Sequence, residues 1–192
     1  PPSQHTRGGA NAYLQYVRHL ERSAPIDTPL DIFAKGYTDW LQAPLQPLMD
    51  NLESSTYEVF EQDPIKYQLY EEALYRALRD RLQAGHTFTS IWVCGAGRGP
   101  LVSRCIAAST RAKARVRITA LEKNPNALVV LQEKQALEWG TDLVSVIYGD
   151  MRARPVQAER ADVVVSELLG SFGDNELSPE CLEGAMRFLK RE

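Results

Sequence analysis

Ser90-Ile91-Trp92-Val93-Cys94-Gly95-Ala96-Gly97-Arg98-Gly99-Pro100-Leu101-Val102 carries the architecture of this chain. A short apolar run ends in closely spaced glycines, and a proline stands where a helix would begin. Glycines at a strand-to-helix turn admit unusual backbone angles and let a ligand come close, while the helix N-terminus favours negative charge. Proline suits the first helical position, and Leu101, Val102, Cys105 and Ile106 give the helix that follows an apolar face. The same strand-then-helix unit recurs downstream. Residues 116–121 read as a second strand, Asn124-Pro125 opens a helix that ends near Trp139-Gly140, and residues 143–148 read as a third strand. Residues 161–166 are a fourth, and Ser178-Pro179 opens a last helix. Strands alternating with helices imply a parallel α/β sheet of Rossmann type. The sequence ends where a fifth strand is expected, so the sheet reads as truncated.

Upstream the pattern is helical. Tyr13, Leu14, Val17 and Leu20 share one face, and Pro25 stops that segment. A second helical patch surrounds Ile32, Phe33, Trp40 and Leu41, and Pro44 and Pro47 mark a break between residues 1–43 and 44–192. Helical spacing resumes over residues 48–60. Asp63-Pro64 then reads as N-cap and first turn of a helix whose face is Tyr67, Tyr70, Leu74, Leu78 and Leu82.

Composition excludes several classes. The 192 residues carry 22 basic and 25 acidic side chains, a net charge of −3, which argues against nucleic-acid binding by bulk charge. Cys94, Cys105 and Cys181 form no CxxC pair or His/Cys cluster, so neither a metal site nor a disulfide framework is indicated, and a reducing compartment is expected. No apolar run is long enough for a bilayer span, and no signal-peptide pattern opens the chain. The start, Pro1-Pro2-Ser3, lacks an initiator Met and reads as that of an excised or processed fragment.

Chemistry collects at the predicted strand ends, where open α/β sheets bind ligands. Glu122 ends the second strand and is suited to accept both hydroxyls of a ribose. Asp150-Met151 follows the third. Glu167 and Glu176 flank a glycine-containing loop after the fourth, and two converging carboxylates match the N–H groups of a guanidinium. Each feature has a plainer reading: a tight turn, a solvated strand-end glutamate, a turn aspartate. Their convergence on one sheet edge favours a site. The glycines of Gly95-Ala96-Gly97-Arg98-Gly99 are spaced too closely for the GxGxxG dinucleotide fingerprint, which counts against a nicotinamide or flavin oxidoreductase. A non-catalytic module retaining the fold is the other alternative. His5, His19 and His86 lie outside every motif.

The glycine spacing resembles the GxGxG of S-adenosylmethionine methyltransferases, in which an acidic residue at the place of Asp150 takes the adenine amino group. From about Phe33 onward the chain resembles the type II, symmetric-dimethylarginine-forming protein arginine methyltransferases. The resemblance is dense in residues 45–54, 56–61 and 63–67, in the glycine loop, in residues 122–126, and in Ser166-Glu167-Leu168-Leu169-Gly170-Ser171-Phe172-Gly173-Asp174-Asn175-Glu176. It implies a Rossmann-type methyltransferase sheet preceded by a helical linker segment, with S-adenosyl-L-methionine as cofactor. Tyr57, Lys66 and Tyr67 would belong to the cofactor lid, with Lys66 near the methionine carboxylate. Gly95, Gly97 and Arg98 would hold that same end, and Glu122, Lys123, Asp150 and Met151 the ribose and adenine. Glu167 and Glu176 would grip the substrate guanidinium and serve catalysis. Phe60 would stand against the arginine as the marker of symmetric product. The family further implies that residues 1–43 hold the end of a preceding TIM-barrel domain that docks a β-propeller partner, and that a β-barrel follows. It implies Arg-Gly-rich protein tails and histones as substrates, homo-oligomerisation at full length, chromatin regulation, and a location in cytoplasm and nucleus. Neither a membrane nor direct nucleic-acid binding is implied.

Overall fold

A computed structural model of the chain describes residues 9–36, 44–153, 159–170 and 174–191. Trp40, Leu41, Ser171, Phe172 and Gly173 of the segments above lie outside the described residues. The chain divides into two compact units, residues 1–43 and 44–192. The first contains α1 (Gly9–Ser23) and α2 (Pro29–Ala34). Thr28 and Asp31 close a reciprocal capping box at the start of α2, satisfying two of the N–H groups a helix start leaves unpaired.

The second unit is a parallel sheet between helices. Its elements are α3 (Ser54–Glu61), α4 (Pro64–Gln83), β1 (Thr89–Cys94), α5 (Pro100–Ala112), β2 (Val116–Glu122), α6 (Pro125–Lys134), β3 (Val144–Tyr148), β4 (Val163–Val165) and α7 (Ser178–Ala185). The strand order is β3-β2-β1-β4, all parallel. Every residue of β1 is buried, because a central parallel strand is covered on both faces and needs no polar alternation. On one face α4 and α5 pack through Leu74, Leu78, Val102 and Cys105. On the other, Trp92 stacks on Phe188 with ring centroids 4.4 Å apart.

Three elements differ from expectation. Helical spacing over residues 48–60 yields a helix only from Ser54. Leu52 is buried, and its carbonyl accepts from the side-chain amides of both Asn124 and Asn126, which holds residues 51–53 outside the helix. The helix after Asn124-Pro125 ends in a π-helical turn, Gln135–Trp139. That wider turn brings the Trp139 indole over Gly99, and Gln135 donates to the Val144 carbonyl at 2.7 Å. The fourth strand is shorter than its apolar run. Ahead of it, Ala161 forms a parallel bridge with Leu189, and the Asp162 side chain accepts the Ser90 N–H at 2.8 Å. Burial works against the Asp162 charge, but the Ser90 N–H, Lys190 and Arg81 together hold its carboxyl below the ordinary value. Among the described residues no helix is long and apolar enough to cross a membrane.

Gly99 caps α5 with φ +91°, and a Cβ there would lie 2.4 Å from the Trp139 ring. Gly99→Ala therefore combines a left-handed backbone with a clash and is expected to cost roughly 1–3 kcal/mol. Urea unfolding measures this; an unchanged midpoint would mean that the π-helical turn yields freely.

Candidate active site

The C-terminal ends of β1, β2 and β4 open into one cavity, roofed by α3 and the start of α4. Its floor is the glycine loop. Gly95 and Gly97 adopt φ +73° and +54°, left-handed values that a residue bearing Cβ rarely takes. At Gly97 the space a Cβ would need lies 3.1 Å from the Tyr57 ring, so loop and roof approach closely here. Glu122, only 5% exposed, locks the loop to the end of β2. One carboxylate oxygen accepts the Gly97 N–H and the other the Asn124 N–H, each at 2.7 Å. Burial raises the Glu122 carboxyl above its ordinary value, and those backbone donors pull it back. Each oxygen is thus fixed by one donor and retains capacity for a second.

Beyond Glu122, Lys123, Asp150 and Met151 continue the wall. The Lys123 ammonium lies 3.4 Å from the Asp50 carbonyl. Asp150 is held by Arg152, whose guanidinium donates to both carboxylate oxygens at 2.6 and 3.1 Å. The Arg152 hydrogen bond lowers the Asp150 carboxyl despite partial burial. Gly184 lets α7 approach this turn, since a Cβ there would meet Arg152 backbone at 2.6 Å.

The roof presents Tyr57, Phe60, Lys66 and Tyr67. Tyr57 and Phe60 meet edge to face, centroids 6.1 Å apart. The Asn124 side-chain amide donates to the Tyr57 oxygen at 3.0 Å and to the Leu52 carbonyl at 2.9 Å. Burial, aided by the Glu122 charge, pushes the Tyr57 hydroxyl up to about 12. Burial likewise raises Tyr67, with Glu167 contributing next.

Glu167 and Glu176 close the cavity on the β4 side. Ser166 anchors the first by donating to the Cys94 carbonyl at 2.6 Å, and its own carbonyl accepts the Tyr70 hydroxyl at 3.0 Å. Asn175, beside the second glutamate, donates to the Leu45 carbonyl at 2.6 Å. Burial raises the Glu176 carboxyl, the Glu167 charge raises it further, and Lys66 opposes both. The Lys66 ammonium is 3.6 Å from Glu167.

Of the residues singled out from sequence, Arg98 alone is absent from the cavity wall. Its guanidinium turns to α3, donating to the Ser54 carbonyl at 3.0 Å and lying 3.2 Å from Glu61. The reason is reach: α3 carries an acidic partner close above the loop. Sequence reasoning gave Asn124 a cap's role only; the cap is present, with Asn126 N–H donating at 2.9 Å, but the buried amide also holds the roof. Cys181, a cavity-wall residue with a buried thiol, carried no sequence signal.

The family model described as PRMT5 arginine-N-methyltransferase matches residues 29–192. The chain belongs to this family. Among its curated relatives, protein arginine N-methyltransferase 5 of Xenopus laevis is 52% identical over 189 residues. Protein arginine N-methyltransferase skb1 of Schizosaccharomyces pombe is 46% identical over 185 residues. The alignments cover 97% and 96% of this chain but only 30% and 29% of those relatives. Among solved structures, the plantazolicin methyltransferase BpumL, in complex with a desmethylPZN analogue and SAH, matches with a TM-score of 0.48 at 18% identity. That match covers 71% of this chain and 48% of the other. Asn124 couples cavity floor to roof here, alongside Arg98.

Asn124→Ala removes a helix cap and two long-range hydrogen bonds, and is expected to cost roughly 1–3 kcal/mol. Hydrogen exchange should show the α3 amides losing protection while α5 amides keep theirs. Equal protection of α3 in both proteins would refute the coupling.

Proposed function

We propose that this chain is the cofactor-binding portion of a protein-arginine methyltransferase, moving a methyl group from S-adenosyl-L-methionine to a guanidino nitrogen. The observation that carries the reading is that Glu167 and Glu176 share one cavity with the glycine loop and Glu122. The donor set suits an adenosyl group. Glu122 offers two fixed acceptors to a ribose diol, and the Gly95 and Gly97 backbone lines the same cavity beside it. Asp150 and Met151 would face the adenine, with Lys123 beside them, and Tyr67 and Lys66 the amino-acid end. When bound, the cofactor supplies an electrophilic methyl on a sulfonium whose departure leaves a neutral thioether.

The protein's part is then alignment and charge placement. Glu167 and Glu176 hydrogen-bond the guanidinium N–H groups that do not react, which holds the attacking nitrogen in line and draws positive charge away from it. Glu176, whose carboxyl is raised by burial, is suited to accept the proton released after transfer. Phe60 limits how a monomethylated arginine lies, so that its other terminal nitrogen meets the next methyl and the product is symmetric. Arg98 ties the glycine loop to α3. From the family resemblance we further infer Arg-Gly-rich and histone tails as substrates, a nuclear and cytoplasmic location with a part in chromatin regulation, homo-oligomerisation, and a β-propeller partner docked through a TIM-barrel domain ending within residues 1–43.

Calorimetry tests the cofactor: S-adenosylhomocysteine is expected to bind and NAD not to, and the reverse would indicate an oxidoreductase. Glu167→Gln keeps the shape but replaces a charge-assisted hydrogen bond by a neutral one. In the full-length protein it should abolish methyl transfer and leave S-adenosylhomocysteine affinity nearly unchanged; turnover with lost cofactor affinity would exchange the two roles. Phe60→Met should let asymmetric dimethylarginine appear beside the symmetric isomer. Mass spectrometry separates the two by neutral loss, and purely symmetric product would refute the steric account.

A further inference from the structure

Lys66 stands in the cavity wall beside Glu167. Its ammonium stands 3.6 Å from a Glu167 oxygen, within ion-pair range but beyond a good hydrogen bond. The ammonium also lies over the Tyr67 ring, 4.9 Å from its centroid. Lys66 sits in the first turn of α4, where its backbone N–H donates to the Asp63 cap at 3.0 Å. The backbone is therefore anchored, whereas the four-carbon stem and partly exposed ammonium are free to move. Among the described residues, the cations of the cavity wall are Lys66 and Lys123. Lys123 lies at the end of β2 beside the Asp50 carbonyl, and Arg98 is committed to Ser54 and Glu61. The α-carboxylate of a bound cofactor, oriented as above, thus has Lys66 as its available counter-charge, and so does Glu167 before substrate arrives.

We propose that Lys66 is a resident counter-cation of the Glu167–Glu176 pair, and that its transfer from Glu167 to the cofactor's carboxylate makes guanidinium binding conditional on cofactor. The inference rests on the methyltransferase reading of the site. Without cofactor, the ammonium occupies one side of the carboxylate pair, and an incoming guanidinium must displace it against like-charge repulsion. With cofactor bound, Lys66 has a new partner and Glu167 is released to the substrate. Such coupling is reciprocal by linkage, so the substrate must tighten the cofactor by the same factor.

The test is calorimetry on the full-length protein with S-adenosylhomocysteine, which carries the carboxylate but no sulfonium charge, and an Arg-Gly repeat peptide. In the unsubstituted protein S-adenosylhomocysteine should tighten the peptide at least about fivefold, and the peptide should tighten S-adenosylhomocysteine equally. In Lys66→Met the peptide should bind more tightly than to the unsubstituted protein when cofactor is absent, and S-adenosylhomocysteine should no longer change its affinity. Lys66→Arg, which keeps the charge, should restore the coupling and guards against a folding defect in Lys66→Met. The proposal is overturned if Lys66→Met keeps the unsubstituted coupling, if it weakens the peptide in the absence of cofactor, or if the unsubstituted protein shows no coupling. Failure of S-adenosylhomocysteine to bind the unsubstituted protein would instead overturn the methyltransferase reading on which the inference stands.

Discussion

Glu122 keeps a carboxylate in a nearly closed environment because backbone N–H groups on either side satisfy it, one from Gly97 and one from Asn124. An unpaired charge at that depth would be costly or would be neutralised by a proton. The two bonds join the glycine loop after β1 to the turn after β2, and so set the spacing between neighbouring strand ends. Through Asn124 the same turn reaches Leu52 and Tyr57, which fixes where α3 lies above the loop. Floor and roof of the cavity are thus joined by one buried acceptor and the amide next to it, together with Arg98, which bonds to α3.

A second set of contacts fixes the β4 side. Asp162 interrupts an apolar run, yet it ties the start of β4 to β1 through Ser90 and gathers Arg81 and Lys190. At the other end of the strand Ser166 is bonded to the Cys94 carbonyl and to Tyr70 of α4. Glu167 thus follows closely on a strand pinned at both ends, which suits a group that must hold a substrate in line. Around Glu176 the charge balance has three parts: burial and Glu167 oppose ionisation, and Lys66 favours it. The two carboxylates of the cavity are thus accompanied by one cation, Lys66.

Legibility varied with the range of the interaction. β1 reads well from sequence because its core, Ile91 to Cys94, is a buried apolar run, β2 because β-branched and apolar residues dominate it, and the helices where a cap and a proline mark the start. Residues 48–60 kept helical spacing, yet residues 51–53 are not helical, since long-range amides claim the Leu52 carbonyl. The π-helical turn before Gly140 could not be seen either: it answers to the Trp139–Gly99 contact, between segments far apart in sequence.

Sequence by itself determined the alternation of strand and helix, the glycines at the first turn, and the carboxylates at three strand ends. These are local properties: apolar period, caps, and residues whose place along a strand decides which edge they occupy. Only the tertiary structure decided which partner each long side chain takes. Arg98 lies in the glycine motif but turns to α3, since Glu61 and the Ser54 carbonyl come within its reach. Lys66 meets Glu167, a residue far along the chain, because α4 crosses above the end of β4. Asn124 is buried because α3 covers it. A flexible arm has several acceptors within its length, and the packing of the elements selects among them.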